Sequence, residues 1–293
     1  MDAAPVFMKL STRAVLGEGK DMADSLRDWI ENNLMSMDAN IQKIIEILTV
    51  NFMVPRDSWY KVAIEIKTII QPIALTIVVI CFLVEFLKIT IQMDILKWEY
   101  GLKVMFKFVF AKVCMDGAFY LLGAIFATSM DWISSIGAAG ATVGADTWSA
   151  IKLILKDYNM FQMLGVAISL GIMFLAVWAV SLAVQVMAYA RKFEIIIYLA
   201  IAPLPCAFLP LEDGGASRIP KKYIFTFASV CLQGVFMVMS VRLFNVLCTD
   251  SINKAIREGK YLGGIVGELF IGVCVLLMAI VKSSSWAKSV LDV

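Results

Sequence analysis

The side chains able to do chemistry in this sequence are a few ionisable groups set inside long apolar runs. Lys112 and Asp116 stand at i and i+4 within Gly101–Phe126, so on a helix they share a face and can neutralise one another. Lys103 and Lys107 continue that stripe towards one end of the same run. Arg191 and Glu194 (i, i+3) come directly after the longest charge-free stretch of the chain. Glu85, Arg242 and Glu268 are single charges within or beside other apolar runs, and Glu268 is the deepest of them. A charge at the centre of a membrane helix costs about 2.5–3.5 kcal/mol on insertion scales, so each is a functional candidate by default.

Two accounts of each group compete. For the lysine stripe, Lys103 and Lys107 snorkel while Lys112 and Asp116 form a structural bridge, or the whole stripe faces a pore or another subunit. Arg191 and Glu194 are an interfacial ion pair holding a turn, or they act with the adjoining AIAPLPCAFLPL as a gate or docking point. Glu268 suits proton coupling, and burial beside a basic partner explains it equally well.

Other chemistries are excluded or unsupported. The chain has no histidine, which removes Ser-His-Asp and Cys-His catalysis and any imidazole metal site. The six cysteines, Cys81, Cys114, Cys206, Cys231, Cys248 and Cys274, lie in or at the ends of apolar runs with no C-x-x-C pair, as packing residues do. Gly19-Lys20 and Gly259-Lys260 lack the second glycine and the Ser/Thr of a phosphate loop. No enzymatic activity, cofactor or metal is therefore expected, and energy must come from partners or an ion gradient.

The elements that position these residues are membrane helices. Of 293 residues, 60% are hydrophobic and 17% charged, with mean hydropathy +0.82, more apolar surface than a water-soluble fold of this length can hide. The net charge of +2 offers no overall attraction for nucleic acid. Residues 1–20 lack the apolar core of a cleavable signal. From Asp21 to Val50, Leu26, Ile30, Leu34, Met37, Ile41, Ile44, Ile45 and Leu48 recur at helical spacing among charges: an amphipathic helix that lies in the membrane interface or packs on a neighbouring subunit. Pro55 ends it, and Asp57 is the N-cap of the next helix.

The expected fold is an all-α, polytopic transmembrane helical bundle of five or six spans, one broken by prolines, behind an N-terminal amphipathic region at 1–63; the membrane domain is 64–293. The segments are Ile64–Leu87 with an early Pro72, Gly101–Phe126, a span within Tyr158–Ala190, Ile195–Leu211, Tyr223–Leu247 and Leu262–Val281. Pro203, Pro205 and Pro210 make the fourth broken or re-entrant. Thr128–Asp157 is the longest connection. Gly263 and Gly267 form a G-x-x-x-G step that permits close helix approach within the bundle or between subunits. If the proline segment is re-entrant there are five crossings. One face then carries nine Lys and Arg against five, which puts that face in the cytoplasm, the N-terminus outside and the C-terminus inside, although eight Lys and Arg within residues 1–67 pull the other way.

The order of elements resembles the TrbL family of conjugal transfer proteins, the polytopic membrane component of type IV secretion systems, in the version found in conjugative elements of Gram-positive bacteria. The resemblance rests on TIIQPIALTIVVICFLVEFL, on the joint YARKFEIIIYLAIAPLPCAFLP with Arg191, Glu194, Ala202, Pro203 and Pro205, on FTFASVCLQGVFMVM with Gln233 and Gly234, and on the ending SSSWAKSVLDV. It implies a multi-pass plasma-membrane channel or scaffold subunit that assembles as a homo-oligomer. Such a subunit works with cytoplasmic ATPases and a coupling protein to move single-stranded DNA and relaxase out of the cell. Lysines lining a lumen would screen the phosphates of a passing strand. The alternative is a secondary transporter or small-ion channel built around Glu85, Glu268 and the proline element.

Overall fold

A computed structural model describes residues 19–51, 53–54, 56–92, 98–138, 160–211, 218–258 and 262–292. Among them there are seven helices and no strand: α1 (Gly19–Thr49), α2 (Ser58–Gln92), α3 (Trp98–Ala138), α4 (Met160–Ile201), α5 (Pro203–Cys206), α6 (Ile219–Glu258) and α7 (Leu262–Leu291). Five stretches are long and apolar enough to cross a bilayer: Ser58–Lys88, Gly101–Ala138, Leu164–Cys206, Ile219–Ser251 and Gly267–Leu291. They run from 25 to 43 residues, against the roughly 20 that a hydrocarbon core requires. The all-α polytopic architecture expected from the sequence is thus observed.

The helices outrun the expected spans at several ends, α6 reaching Glu258 rather than Leu247 and α7 Leu291 rather than Val281; two further differences have a local reason. The span expected to stop at Phe126 continues to Ala138, absorbing the first part of the expected Thr128–Asp157 connection; residues 139–157 lie outside the described residues. The polar side chains that suggested a loop are accommodated by the helix itself. Thr128 donates to the Ala124 carbonyl, Ser129 to that of Phe126, and Ser134 and Ser135 to that of Asp131. Likewise, the span within Tyr158–Ala190 and the segment from Ile195 are one helix, α4. Arg191-Lys192-Phe193-Glu194 ends the apolar run without ending the helix, because none of the four breaks backbone hydrogen bonding. The first residue that does is Pro203. Asp57 caps α2 as expected, its Oδ1 accepting from the Trp59 N–H at 3.4 Å, whereas Pro55 lies outside the described residues.

The chain packs as two compact units, Met1–Ile47 with Gly137–Val186 and Met239–Ile280, and Leu48–Ile136 with Met187–Val238 and Val281–Val293. In the first unit the amphipathic α1 touches a membrane helix of this same chain. Ile30 and Ile44 are buried, and the Trp29 indole lies 3.6 Å from where a Cβ would stand on Gly171 of α4. This contact gives the helix one seat on its own chain, beside the lipid interface or neighbouring subunit expected from the sequence.

In the second unit the buried stripe of α2 is built from small residues, and that of α3 from alanines interleaved with larger side chains. Ala63, Ala74, Val78 and Cys81 recur at helical spacing along α2, and Ala111, Met115, Ala118, Leu122 and Phe126 along α3, while Ile69, Ile91, Phe106 and Tyr120 point outward. In lipid, burying large apolar groups gains little over leaving them in the bilayer, so helices associate through small residues that let backbones approach. Tyr60 against Phe119 (5.8 Å between centroids) and Phe82 against Phe108 (5.0 Å) fix α2 and α3 antiparallel.

If each of the five candidate stretches crosses once, the ends of the membrane region lie on opposite sides. In a cysteine-depleted background, an impermeant thiol reagent is expected to modify Asn51→Cys and Asp292→Cys from opposite faces of oriented vesicles. Labelling of both from one face would establish an even number of crossings.

Candidate functional site

The joint at the end of α4 is organised by a buried cation. Arg191 is only 6% exposed, and its Nε donates to the Val230 carbonyl and its Nη2 to the Cys231 carbonyl, both at 3.1 Å. Both acceptors already serve the α6 backbone, and they are reachable because of the residue one turn on. A side chain at position 234 would lean over the turn containing residues 230 and 231. Gly234 has none, and a Cβ there would collide with Nη1, Nη2 and Cζ of the guanidinium. The glycine therefore leaves a slot shaped for the planar group. Hydrogen bonds to a charged donor are worth about 1.5–3 kcal/mol each, enough to offset part of the desolvation of the cation.

Glu194 does not share that burial; it is exposed, and the Arg191 hydrogen bonds go to carbonyls instead. Phe193 beside it meets Trp59 of α2 edge-on at 5.1 Å. Beyond Ile201 the chain breaks as the prolines require. Pro203, Pro205 and Pro210 are all buried, and the backbone turns on tighter bonds: Ala207 N–H to Leu204 at 3.1 Å, Phe208 to Pro205 at 3.3 Å, Leu209 to Cys206 at 3.2 Å and Leu211 to Phe208 at 3.3 Å. The Tyr223 hydroxyl of α6 donates to the Tyr198 carbonyl in the last turn of α4. The element is broken, yet its polar backbone groups are provided for within the protein, as a non-helical stretch in a membrane protein needs.

A polar seam joins α2 and α3. Lys112 Nζ contacts both oxygens of Asp116, at 3.1 and 3.0 Å, and Gln71 Nε2 donates to Asp116 Oδ1 at 2.9 Å. Lys67 on α2 lies over the rings of Phe119 and Tyr120, 5.1 and 5.4 Å from their centroids. The Lys112 and Asp116 side chains remain 39% and 46% exposed, so the pair also faces outward from the protein well inside a span. Lys103 is exposed and Lys107 half-buried further along α3. Glu85 is buried, with Lys88 Nζ 3.8 Å from its Oε2. The pairing partner Gln71 is not evident from the sequence pattern; its signal is a lone amide in an apolar run, immediately before Pro72.

In the first unit Arg242 is half-buried and Glu268 exposed. Gly267 is exposed, with open space where a Cβ would stand, so it makes no close approach among the described residues; the surroundings of Gly263 lie outside them. Close approach is made instead at Gly272, where a Cβ would stand 3.2 Å from Leu247 and 3.3 Å from Phe244 of α6. Neither Gly234 nor Gly272 stands out in the sequence as a packing position, although Gly234 is the sole glycine of α6 and in that respect an anomaly.

Five helices long and apolar enough to span a bilayer, with no strand among the described residues, make this a multi-pass helical membrane protein. Residues 56–203, half of the chain, match the family described as TrbL/VirB6 plasmid conjugal transfer like protein. The chain is a member of that family, and hence a membrane component of a conjugal transfer, type IV secretion, system. No curated protein and no solved structure matches it.

If the slot explanation holds, Gly234→Ala and Arg191→Ala are strongly coupled. Gly234→Ala alone is expected to destabilise the detergent-solubilised protein by about 1–3 kcal/mol. In an Arg191→Ala background the same change should be neutral or stabilising by up to about 1 kcal/mol, since Ala is the better helix former. Thermal unfolding of the four proteins measures the cycle. Additive effects would remove the guanidinium as the reason for the glycine.

Proposed function

We propose that this chain is a non-enzymatic channel or scaffold subunit that helps single-stranded DNA and relaxase cross the plasma membrane. It acts as a homo-oligomer, alongside the cytoplasmic ATPases and coupling protein of its secretion system, with the N-terminus extracytoplasmic and the C-terminus cytoplasmic. Family membership supports the setting. The observation that carries the translocation role is the outward exposure of Lys103, Lys112 and Asp116 on one membrane span. Charges at that depth need water or another subunit around them, and an oligomer enclosing an aqueous path supplies both. Lysines on such a path attract a polyanion without reading its sequence, because phosphate contacts are electrostatic and base-independent.

A secondary transporter or small-ion channel is less well supported. Glu85 already pairs with Lys88, and Glu268 is exposed, so neither acid stands in an enclosed ion site.

Lys103→Glu with Lys107→Glu tests the lumen role. DNA transfer frequency is expected to fall about tenfold or more, at unchanged membrane level and oligomer mass, since reversing two charges repels the strand. Normal transfer by a well-expressed double variant would exclude these lysines from the path of the substrate.

A further inference from the structure

The packing face of α3 is already used within the chain, where Ala111, Met115, Ala118 and Leu122 are buried. A second stripe runs along the outward side of the same helix. Met105, Val109, Lys112, Asp116, Tyr120 and Gly123 follow one another at steps of three and four residues, the spacing of a seam between two helices. Met105, Val109 and Tyr120 are 59%, 55% and 71% exposed, and a Cβ on Gly123 would meet nothing within 4 Å. The stripe is thus open along its length, with an ion pair at its centre and bare backbone towards one end.

That centre has bonding capacity left over. Asp116 Oδ1 accepts from both Gln71 and Lys112, but Oδ2 accepts from Lys112 alone among the described residues, at 3.0 Å. A carboxylate has about four acceptor sites and an ammonium three donors, so each partner can take more. Their side chains, 39% and 46% exposed, present that capacity outwards within the span Gly101–Ala138. Even a neutralised pair is costly to leave against hydrocarbon. The complementary surface offers an acid and a base one turn apart at the same depth, and this stripe is itself such a surface. Copies of a membrane protein insert in one orientation, so two stripes meet as parallel helices, each residue level with its own copy. The Lys112 ammonium already reaches one turn along its own helix, and the same reach brings it to Asp116 of a parallel neighbour. Each cation then stands between two carboxylates and each carboxylate between two cations, while Gly123 lets the backbones approach.

We propose that this stripe is the contact between two copies of the chain, α3 packing on α3 in parallel, with Lys112 of each copy bridging to Asp116 of the other. The inference rests on the homo-oligomer of the reading above and names one of its interfaces. At these two residues the charges are met by the second copy rather than by water, which leaves the aqueous path to Lys103 and Lys107.

The test is co-purification of two differently tagged copies of the full chain expressed together in one membrane. Wild type is expected to retain its second copy. Lys112→Asp alone puts two acids on each stripe and Asp116→Lys alone two bases, so each variant is expected to lose association with itself by about tenfold or more. Lys112→Asp expressed with Asp116→Lys should recover most of the wild-type yield, because opposite charges again face one another, and recovery also shows that both variants fold. Undiminished self-association of either variant, or a mixture that does no better than the two alone, overturns the charge contact. A second measurement does not depend on those variants. In a cysteine-depleted background, mild oxidation of native membranes should cross-link Met105→Cys to its copy and leave Phe106→Cys, 72% exposed but turned away from the stripe, largely uncoupled. Absent cross-linking at 105, or equal cross-linking at both positions, overturns the stripe as the interface. Wild type that retains no second copy overturns the homo-oligomer as well, an outcome distinct from a wild-type oligomer that is indifferent to these charges.

Discussion

The membrane region depends on where a buried guanidinium can be satisfied. Arg191 is buried with two backbone carbonyls of α6 as its acceptors and no carboxylate hydrogen-bonded to it among the described residues. An arginine is not deprotonated under physiological conditions, so the charge cannot be relieved by titration and must be met by geometry. Helix carbonyls can meet it only where the covering side chain is missing, which is why Gly234 and Arg191 are one feature rather than two. The contact pins the end of α4 to α6 just ahead of Pro203. The proline break therefore begins from a fixed point, and its unsatisfied last turn is met by Tyr223 from that same helix.

The other associations obey the physics of a bilayer. Ala63, Ala74, Val78 and Cys81 on α2 and Ala111 and Ala118 on α3 let backbones come close between larger buried groups such as Met115, Leu122 and Phe126, while Ile69, Phe106 and Tyr120 are left outside for lipid or for another subunit. On that background the seam of Gln71, Asp116 and Lys112 adds direction, since a carboxylate held by an amide from one helix and an ammonium from another accepts few alternative registers. The seam remains partly open to the outside, which is what a purely internal bridge would avoid.

Family membership covers residues 56–203, and the boundary is informative. It takes in the donor half of the joint, Arg191, and stops at the first proline; the acceptor half, Val230, Cys231 and Gly234, lies beyond it. The matched half thus carries the charge, and the rest of this chain supplies the place that makes the charge tolerable.

Composition and periodicity alone determined that this is an all-α membrane protein, that α1 is amphipathic, that Pro203 breaks a helix and that Lys112 pairs with Asp116, because each is a matter of local free energy: transfer into lipid, one helical face, one missing N–H, one i, i+4 step. Only the tertiary structure decided that Arg191 bonds to carbonyls rather than to Glu194, that Gln71 completes the seam, that Gly272 rather than Gly267 makes the close approach within the chain, and that α1 rests on Gly171 of its own chain. The reason is common to all four. A side chain's partner across helices depends on which faces are rotated towards one another, and in a chain where most positions are apolar, hydropathy distinguishes those faces poorly. Small residues and missing side chains set the rotation, and their effect exists only once two helices are in contact.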